Sequence, residues 1–498
     1  MARAGVVLGL DQGTTGTLAL ALTSDGVVIA QAYGVHRQFF PGAGLVEHDP
    51  GEILLVCKNL LDKTVAQLEP GTPLLGLGLA NQGETVMAWQ RSTARPIHNA
   101  IVWQDTRGSE LMRTLNATAG IGEMVTARTG LKLDPYFSAG KIAWLRDHVP
   151  DFARLAACND LCVGTLDAWL IWQLTGRRRF VTDASTAART LLADIHHDGF
   201  DKELCALFNI PFAVLPSVED SLGSLGTVDC PGHAWNGTRI LASVVDQPAA
   251  MAGHGCFAPG STKATFGSGC FVYMNTGQTP RKSSAGLLTT VAWRKRGSTT
   301  YALDGGVFAA GSVVTWLKNL GLVADPAAID ALLAGRDARS LTVSCVPALA
   351  GLAAPYWSRD TRAAWLGMDL GTERVDLVHA ALLGVAARVA QVVHAMGQDA
   401  GQPLTELNAD GGLVRCATLM QLVSDLIQAP VAVLAGEEAT GIGAAVLASI
   451  SAGLLDEETA AARVHIARRY RPQITAPERD RLMTRFERAV TLVKDWHA

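Results

Sequence analysis

The sequence predicts an α/β protein of two domains that enclose a cleft. The chain has 498 residues, whereas a single hydrophobic core stops growing at roughly 250–300 residues. Near its start, apolar runs alternate with glycine-bearing turns, which predicts a three-stranded meander between residues 5 and 33. A second strand–turn–strand pattern with a glycine-rich tip lies in the other half, at 263–274. We therefore predict domains at 1–252 and 253–498, each with one such hairpin.

The remaining elements follow from the hydrophobic pattern. The segment 52–68 has apolar residues at helical spacing and predicts a helix that covers the first strands. The run 240–245 predicts a buried strand, and Pro248 suits the first residue of a following helix, where its missing N–H would be unpaired in any case. Three further helices are predicted over 375–394, 420–427 and 441–453, the last one rich in small residues.

The composition is that of an ordinary folded protein and argues against several functional classes. Hydrophobic residues make up 49% and charged residues 18% of the chain, which leaves little room for disorder. A net charge of −4 gives no reason to expect a nucleic-acid partner. We expect no signal peptide, because Asp11 and Gln12 interrupt the first apolar run early. We expect no membrane span either, because no apolar run reaches ~18 residues. The nine cysteines lack paired spacing, which favours reduced thiols in a cytoplasmic protein.

Both predicted hairpin tips carry groups suited to phosphate. The first tip consists of Asp11, Gln12, Gly13, Thr14 and Thr15, and the second of Gly267, Ser268 and Gly269. Glycine lets the backbone approach an anion closely, while hydroxyls and exposed amides can donate to phosphate oxygens. The carboxylate of Asp11 can hold a hydrated Mg²⁺. Neither tip is a P-loop, because the lysine of that motif is absent.

These motifs and several longer stretches resemble the FGGY carbohydrate kinase family, and most closely its glycerol kinase branch. The similar stretches are 10–15, 81–85, 99–104, 134–141, 164–174, 265–277, 287–290, 353–357, 410–425 and 443–448. The resemblance implies two ribonuclease-H-like domains of the actin and hexokinase type, with ATP and Mg²⁺ in the cleft. It also implies phosphorylation of a terminal hydroxyl of a small polyol, as in the conversion of glycerol to glycerol 3-phosphate.

Asp246 matches the catalytic base of that family. It follows the predicted strand 240–245 at a helix start, where the helix N-terminus favours an ionised carboxylate. A capping role alone would stabilise the helix by about 0.5–2 kcal/mol, and the two roles are compatible. Phosphoryl transfer depends mainly on positioning and charge neutralisation, so we expect proton removal by Asp246 to be one contribution among several.

The resemblance also implies two groups of binding residues. Those that match polyol-binding positions are Glu84, Tyr136, Asp246 and Gln247 for the hydroxyls, and Trp103 and Phe271 for the carbon face. A polyol presents hydroxyls and an apolar edge, so its site needs both kinds of side chain. Besides both hairpin tips, the matching nucleotide residues are Gly311, Thr315, Gly411, Gly412 and Cys416.

Gly83 is the sharpest departure from the family pattern. Glycerol kinases have an arginine after the Asn81–Gln82 pair, and that arginine donates to the outer hydroxyls of glycerol. Glycine removes these donors, and we expect it to open space for a longer polyol such as erythritol or a pentitol. The alternative is that another side chain, such as Arg107, reaches into the same space.

Milder departures do not touch the catalytic aspartate. Leu18 replaces an arginine, Cys416 an asparagine, and Leu383 an acid. Because each change is local, an active kinase is expected. The adjacent His196 and His197 are expected in a surface loop rather than as metal ligands.

Other hypotheses stay open at the level of sequence. A ketopentose or sugar-acid kinase would share the chemistry, although Glu84, Trp103 and Tyr136 match the glycerol branch. An actin-like regulatory ATPase would keep both hairpin tips without needing Asp246 together with the pocket aromatics. The resemblance further implies a homodimer or homotetramer, while the loop 232–237 does not align well enough to carry over sites of allosteric control.

Overall fold

The computed structural model describes residues 5–436, 438–494 and 496. The strands in this part of the chain are β1 (Val6–Gln12), β2 (Gly16–Thr23), β3 (Val28–Val35), β4 (Glu47–His48), β5 (Leu74–Asn81), β6 (Val86–Gln90), β7 (Ala100–Ile101), β8 (Leu161–Thr165), β9 (Val181–Asp183), β10 (Ser217–Glu219), β11 (Leu222–Thr227), β12 (Arg239–Val245), β13 (Thr262–Phe266), β14 (Cys270–Gly277), β15 (Leu288–Lys295), β16 (Ser298–Val307), β17 (Ser344–Val346), β18 (Ala364–Leu366), β19 (Leu407–Asp410), β20 (Val431–Leu434) and β21 (Ile466–Tyr470).

The α-helices of the same residues are α1 (Pro50–Val65), α2 (Ser109–Asn116), α3 (Ile121–Thr129), α4 (Ser138–His148), α5 (Pro150–Ala157), α6 (Leu166–Leu174), α7 (Ala184–Ala187), α8 (Lys202–Leu207), α9 (Asp246–Gly253), α10 (Gly311–Asn319), α11 (Ile329–Leu332), α12 (Arg374–Ala400), α13 (Ala417–Ile427), α14 (Ala439–Ser451), α15 (Glu457–Ala462) and α16 (Ala476–Lys494). Short 3₁₀ turns lie at Phe212–Val214, Pro326–Ala328, Ala338–Ser340 and Gly412–Arg415.

One large mixed sheet runs through both halves of the chain. Its thirteen strands have the order β21, β20, β19, β13, β14, β16, β15, β11, β12, β5, β1, β2, β3. The halves join where β11 lies parallel to β15. The predicted meander is β1–β3 and the predicted second hairpin is β13–β14, so both predictions are confirmed. The domain boundary near residue 252 stays a prediction.

Two helices of small residues lie beside each other where the halves meet. The helix α9 follows β12 directly, and α14 packs against it. A Cβ on Gly443 would lie 1.8 Å from the carbonyl oxygen of Ala249, and one on Gly253 would lie 2.0 Å from that of Ala439. These glycines therefore let the two backbones touch. The sequence predicted Pro248 as the first residue of this helix. That prediction is wrong, because α9 begins at Asp246 and Pro248 is its third residue.

The other sequence predictions are matched closely by the helices. The helix predicted over 52–68 is α1, and those predicted over 375–394, 420–427 and 441–453 are α12, α13 and α14. By length and composition α12 could cross a membrane, but 89% of its apolar window is buried inside the protein. It contributes to the hydrophobic core of the second half.

The cysteines are unpaired, and the histidine pair lies at the surface. All nine cysteines are free thiols, and only Cys158 is exposed. His196 and His197 are exposed, and no group of three or more metal-ligating side chains occurs among the residues that the structure describes.

Candidate active site

The first hairpin tip is tied to the segment that carries Glu84. The amide of Gly13 donates to Gly16 across the β1–β2 turn at 2.9 Å. The amide of Gln82 donates to the carbonyl of Gln12 at 2.8 Å, and the side chains of these two glutamines bond at 3.1 Å. Thr15 is exposed at the tip. The predicted phosphate turn therefore lies directly beside the predicted polyol residues.

The second hairpin tip is clamped onto the start of α10. The amide of Gly311 donates to the carbonyl of Gly267 at 2.9 Å, and the amides of Ala310 and Ser312 donate to that of Ser268 at 2.8 and 3.0 Å. A Cβ on Gly311 would lie 2.5 Å from the Gly267 carbonyl oxygen, so glycine is required for this contact. The structure thus brings together Gly267–Gly269 and Gly311, with Thr315 one turn further along the helix.

The glycine pair after β19 lies against the same hairpin. Gly411 has φ +91°, and a Cβ there would lie 2.5 Å from the carbonyl oxygen of Phe266. Gly412 faces open space. The thiol of Cys416 lies 3.6 Å from a carboxylate oxygen of Asp330, and burial raises the pKa of this thiol to about 12. Backbone groups therefore dominate this part of the predicted nucleotide site.

Asp246 stands at the start of α9 with a second carboxylate nearby. Its Oδ1 accepts from the amide of Gln247 at 2.7 Å. Burial raises the pKa of Asp246, and the charge of Lys263 opposes that rise. Burial also raises the pKa of Asp11 to about 7, with a further contribution from the charge of Asp246. A cation bound near both carboxylates would favour their ionised forms.

The carboxylates of this site suit Mg²⁺ better than they suit a metal ion whose ligands all come from the protein. Magnesium ions usually keep several waters and bind one or two carboxylates together with substrate phosphates. Asp11 offers one carboxylate beside the first phosphate turn, and its pKa is raised mainly by burial and further by the charge of Asp246. The described residues contain no larger group of metal ligands, so this site suits an ion that arrives with a phosphate.

A cavity of about 320 Å³ opens between the two halves of the chain and is lined by residues of both. Trp103, Tyr136 and Phe271 line it together with Ser268 and Gly269 of the second tip. The rings of Trp103 and Tyr136 meet edge to face, with centroids 5.4 Å apart. The indole of Trp103 also donates to the Thr14 hydroxyl of the first tip at 2.8 Å. The predicted aromatic walls are therefore in direct contact with one phosphate turn and share the cavity with the other.

Glu84 is held in a strained backbone conformation. Its φ is +59°, a region that residues other than glycine rarely adopt and that is enriched at functional sites. Its Oε1 accepts from Nε of Arg189 at 2.6 Å. Burial raises the pKa of Glu84 to about 7, although the charge of Arg189 opposes the rise. The fixed orientation suits a carboxylate that accepts from a hydroxyl.

The structure corrects the expectation that Gly83 leaves open space. A Cβ on Gly83 would lie 2.5 Å from Cγ2 of Val245, the residue before the candidate base. That volume is therefore already filled. Arg107 does not reach it either, because its guanidinium pairs with Asp105 and Glu47 at 2.7 and 2.8 Å.

Three charged residues of the site were not predicted as site residues from the sequence. Arg189 bridges Glu84 and Asp304, and the buried ammonium of Lys263 donates to the side chain of Gln247. Lys263 and Asp304 are each the one charged residue of a strand, β13 and β16, and a buried charge within a strand is a signal that could have marked them as functional. Arg189 lies outside any strand or long helix, and no local pattern singles it out.

Comparison with known proteins shows similarity along the whole chain. Residues 6–253 match the model of the N-terminal domain of the FGGY family of carbohydrate kinases, and residues 262–452 match its C-terminal domain. A glycerol kinase from Alkalilimnicola ehrlichii is 44% identical over 98% of both chains. One from Aromatoleum aromaticum is 41% identical over 99% of both.

The solved structures agree with the predicted fold. A Plasmodium falciparum glycerol kinase, crystallised with ADP, has a TM-score of 0.93 at 31% identity. The match covers 99% of this chain and 98% of the Plasmodium chain. A gluconate kinase from Lactobacillus acidophilus has a TM-score of 0.89 at 18% identity and 99% coverage of both chains, and so supports the fold alone. The predicted ribonuclease-H-like ATPase fold is confirmed. The chain belongs to the FGGY family of carbohydrate kinases.

Proposed function

We propose that this kinase transfers the γ-phosphoryl group of ATP to a terminal hydroxyl of glycerol or a similarly small polyol. The observation that carries the proposal is the cavity lined by aromatic side chains, by the second hairpin tip and by Asp304, which Arg189 connects to the buried Glu84. The relatives named glycerol kinase, at 41–44% identity over nearly the full chain, support glycerol as the first candidate.

The geometry suggests a division of labour among the residues. Glu84, Tyr136 and Gln247 would orient the hydroxyls, and Trp103 and Phe271 would cover the carbon edge. The glycine tips and Gly411–Gly412 would hold the phosphates with backbone amides. Hydrogen bonds hold several of these groups in place, such as Glu84 to Arg189 and Trp103 to Thr14, which favours the preorganisation that phosphoryl transfer requires.

The transfer itself needs one proton acceptor. The acceptor oxygen attacks the γ-phosphorus while its proton passes to the carboxylate of Asp246, and the bond from phosphorus to the β–γ bridging oxygen breaks, so that ADP leaves with that electron pair. Mg²⁺, held through water by Asp11, would neutralise phosphate charge. The charge of Lys263 opposes the rise that burial causes in the pKa of Asp246, and so favours the ionised form of this base.

A phosphorylation screen tests the proposal. Purified protein with Mg·ATP would be offered glycerol, erythritol, pentitols, ketopentoses and gluconate, with ADP release and phosphorylated product both measured. We expect glycerol to give the highest kcat/KM. ATP hydrolysis that no acceptor stimulates would instead favour the regulatory ATPase. Turnover of a ketopentose or gluconate above that of every polyol would move the assignment to another member of the family.

The assembly and location remain part of the proposal. We expect a homodimer or homotetramer in the cytoplasm, with no nucleic-acid or membrane partner. Light scattering of the purified protein, with and without ATP, measures the oligomeric state.

A further inference from the structure

Asp304 places a second buried carboxylate at the polyol cavity. It lies on β16, opposite Tyr273 of β14 and Leu288 of β15. Its side chain is 5% exposed, and it lines the cavity together with Trp103 and Tyr136. Unlike Glu84, it belongs to the second half of the chain.

Arg189 joins the two carboxylates across the cleft. Its Nε donates to Glu84 at 2.6 Å and its Nη1 to Asp304 at 2.9 Å. Among the residues that the structure describes, it is the one side chain that donates to either carboxylate. The cluster thus holds one guanidinium and two carboxyl groups away from bulk water.

Such a cluster is a poor stabiliser of the fold but a good acceptor of hydrogen bonds. Burying charges costs free energy that an ion pair often fails to offset. An ionised carboxylate accepts up to about four hydrogen bonds, and Arg189 uses one oxygen of each. Asp304 lines the cavity, so its remaining acceptor capacity is available where a polyol would bring hydroxyl donors.

We propose that Asp304 is a second acceptor for substrate hydroxyls, paired with Glu84 through Arg189. The inference rests on the proposed function. The preferred substrate is then a polyol that offers one hydroxyl to Glu84 and another to Asp304. A polyol with at least two hydroxyls besides the one that is phosphorylated, or with its hydroxyls on adjacent carbons, meets this condition.

The first test is Asp304→Asn, which keeps the shape but removes the charge. We expect the KM for glycerol, and the Kd for glycerol measured calorimetrically without nucleotide, to rise at least tenfold, while the KM for ATP changes less than twofold. The matched control is Asp198→Asn. Asp198 also pairs with an arginine, Arg294 at 2.6 Å, but its side chain is 82% exposed. This control should behave as wild type.

The second test removes the hydroxyl instead of the acceptor. With 1,2-propanediol or 1,3-propanediol in place of glycerol, one hydroxyl is missing. For the diol that lacks the hydroxyl bound by Asp304, Asp304→Asn should change kcat/KM less than twofold. An equal loss for glycerol and both diols would mean that Asp304 acts only through the structure, and no loss for any of them would mean that it makes no contact. Either outcome overturns the proposal.

The two proposals fail in different ways. If the wild-type protein phosphorylates no polyol, the proposed function is wrong. If it does so but Asp304→Asn leaves the glycerol constants unchanged, only the role of Asp304 is wrong. Should the asparagine variant not fold, Asp304→Glu keeps the charge that faces Arg189 while moving the carboxylate. It should lower kcat/KM for glycerol at least fivefold, and wild-type kinetics in that variant would overturn the inference.

Discussion

The two ends of the cleft bind their ligands by different means. At the acceptor end, buried side chains present the functional groups: Glu84, Arg189 and Asp304 form a charged cluster against the aromatic walls. At the nucleotide end, backbone groups dominate, because Gly311 and Gly411 pack so closely against the second hairpin that neither has room for a Cβ. The acceptor end can therefore change specificity by substitution, whereas the nucleotide end requires glycine at these two positions.

Asp246 stands between the two ends, and its replacement should have the largest effect. We expect Asp246→Asn to lower kcat by about 10²–10⁴-fold, the usual contribution of a general base. Its Kd for ATP and its melting temperature should stay close to wild type, because asparagine has nearly the same shape and replaces a carboxylate whose charge burial disfavours. Steady-state kinetics, nucleotide titration and calorimetry measure these values. A kcat above about a tenth of wild type, a barrier change under ~1.4 kcal/mol, would exclude Asp246 as the base.

The acceptor end should respond to pH through Glu84. The pKa of this carboxyl is raised to about 7, so its ionised form, which accepts hydroxyl hydrogen bonds, prevails above pH 7 and is lost as the pH falls. Glycerol affinity without nucleotide should therefore drop about tenfold between pH 8 and pH 6, since the ionised fraction falls from about nine-tenths to one-tenth at that pKa. In Glu84→Gln the affinity should be weaker and independent of pH. A wild-type affinity that is flat over this range would contradict the assignment.

The difference between the two ends also explains what the sequence could predict. Local patterns were sufficient for the hairpins and for α12, because glycine turns and hydrophobic periodicity are local signals. They were insufficient for Arg189, which is 105 residues from Glu84 and 115 from Asp304 along the chain. The packing of Val245 beside Gly83 is likewise a long-range contact. The resemblance located the pocket, but only the tertiary structure shows which side chains fill it.

A smaller effect is expected at the tip of the second hairpin. A Cβ on Gly267 would have only the Gly269 carbonyl oxygen, 3.9 Å away, in its surroundings. Gly267→Val should therefore fold normally but hinder the approach of phosphate to the backbone, with a threefold to tenfold rise in the KM for ATP and little change in the Kd for glycerol. Fluorescence titration with a nucleotide analogue measures binding directly. Unchanged nucleotide binding would show that this tip does not contact the phosphates.

The last prediction concerns Gly83 and Val245, which together close one side of the acceptor end. Because a Cβ on Gly83 would lie 2.5 Å from Cγ2 of Val245, Gly83→Arg should lower the free energy of unfolding by about 1–3 kcal/mol, as overpacking usually does. It should not improve the use of glycerol, because the guanidinium has no room to reach the pocket. The double variant Gly83→Arg with Val245→Gly makes that room, so it should recover stability and raise the ratio of kcat/KM for glycerol to that for erythritol. Gly122→Arg serves as the control, since the nearest atom to a Cβ at Gly122 lies 3.5 Å away. Chemical denaturation and specificity constants would be measured for the wild type, Gly83→Arg, the double variant and Gly122→Arg. If Gly83→Arg is as stable as wild type and already favours glycerol, Val245 does not control this side of the pocket.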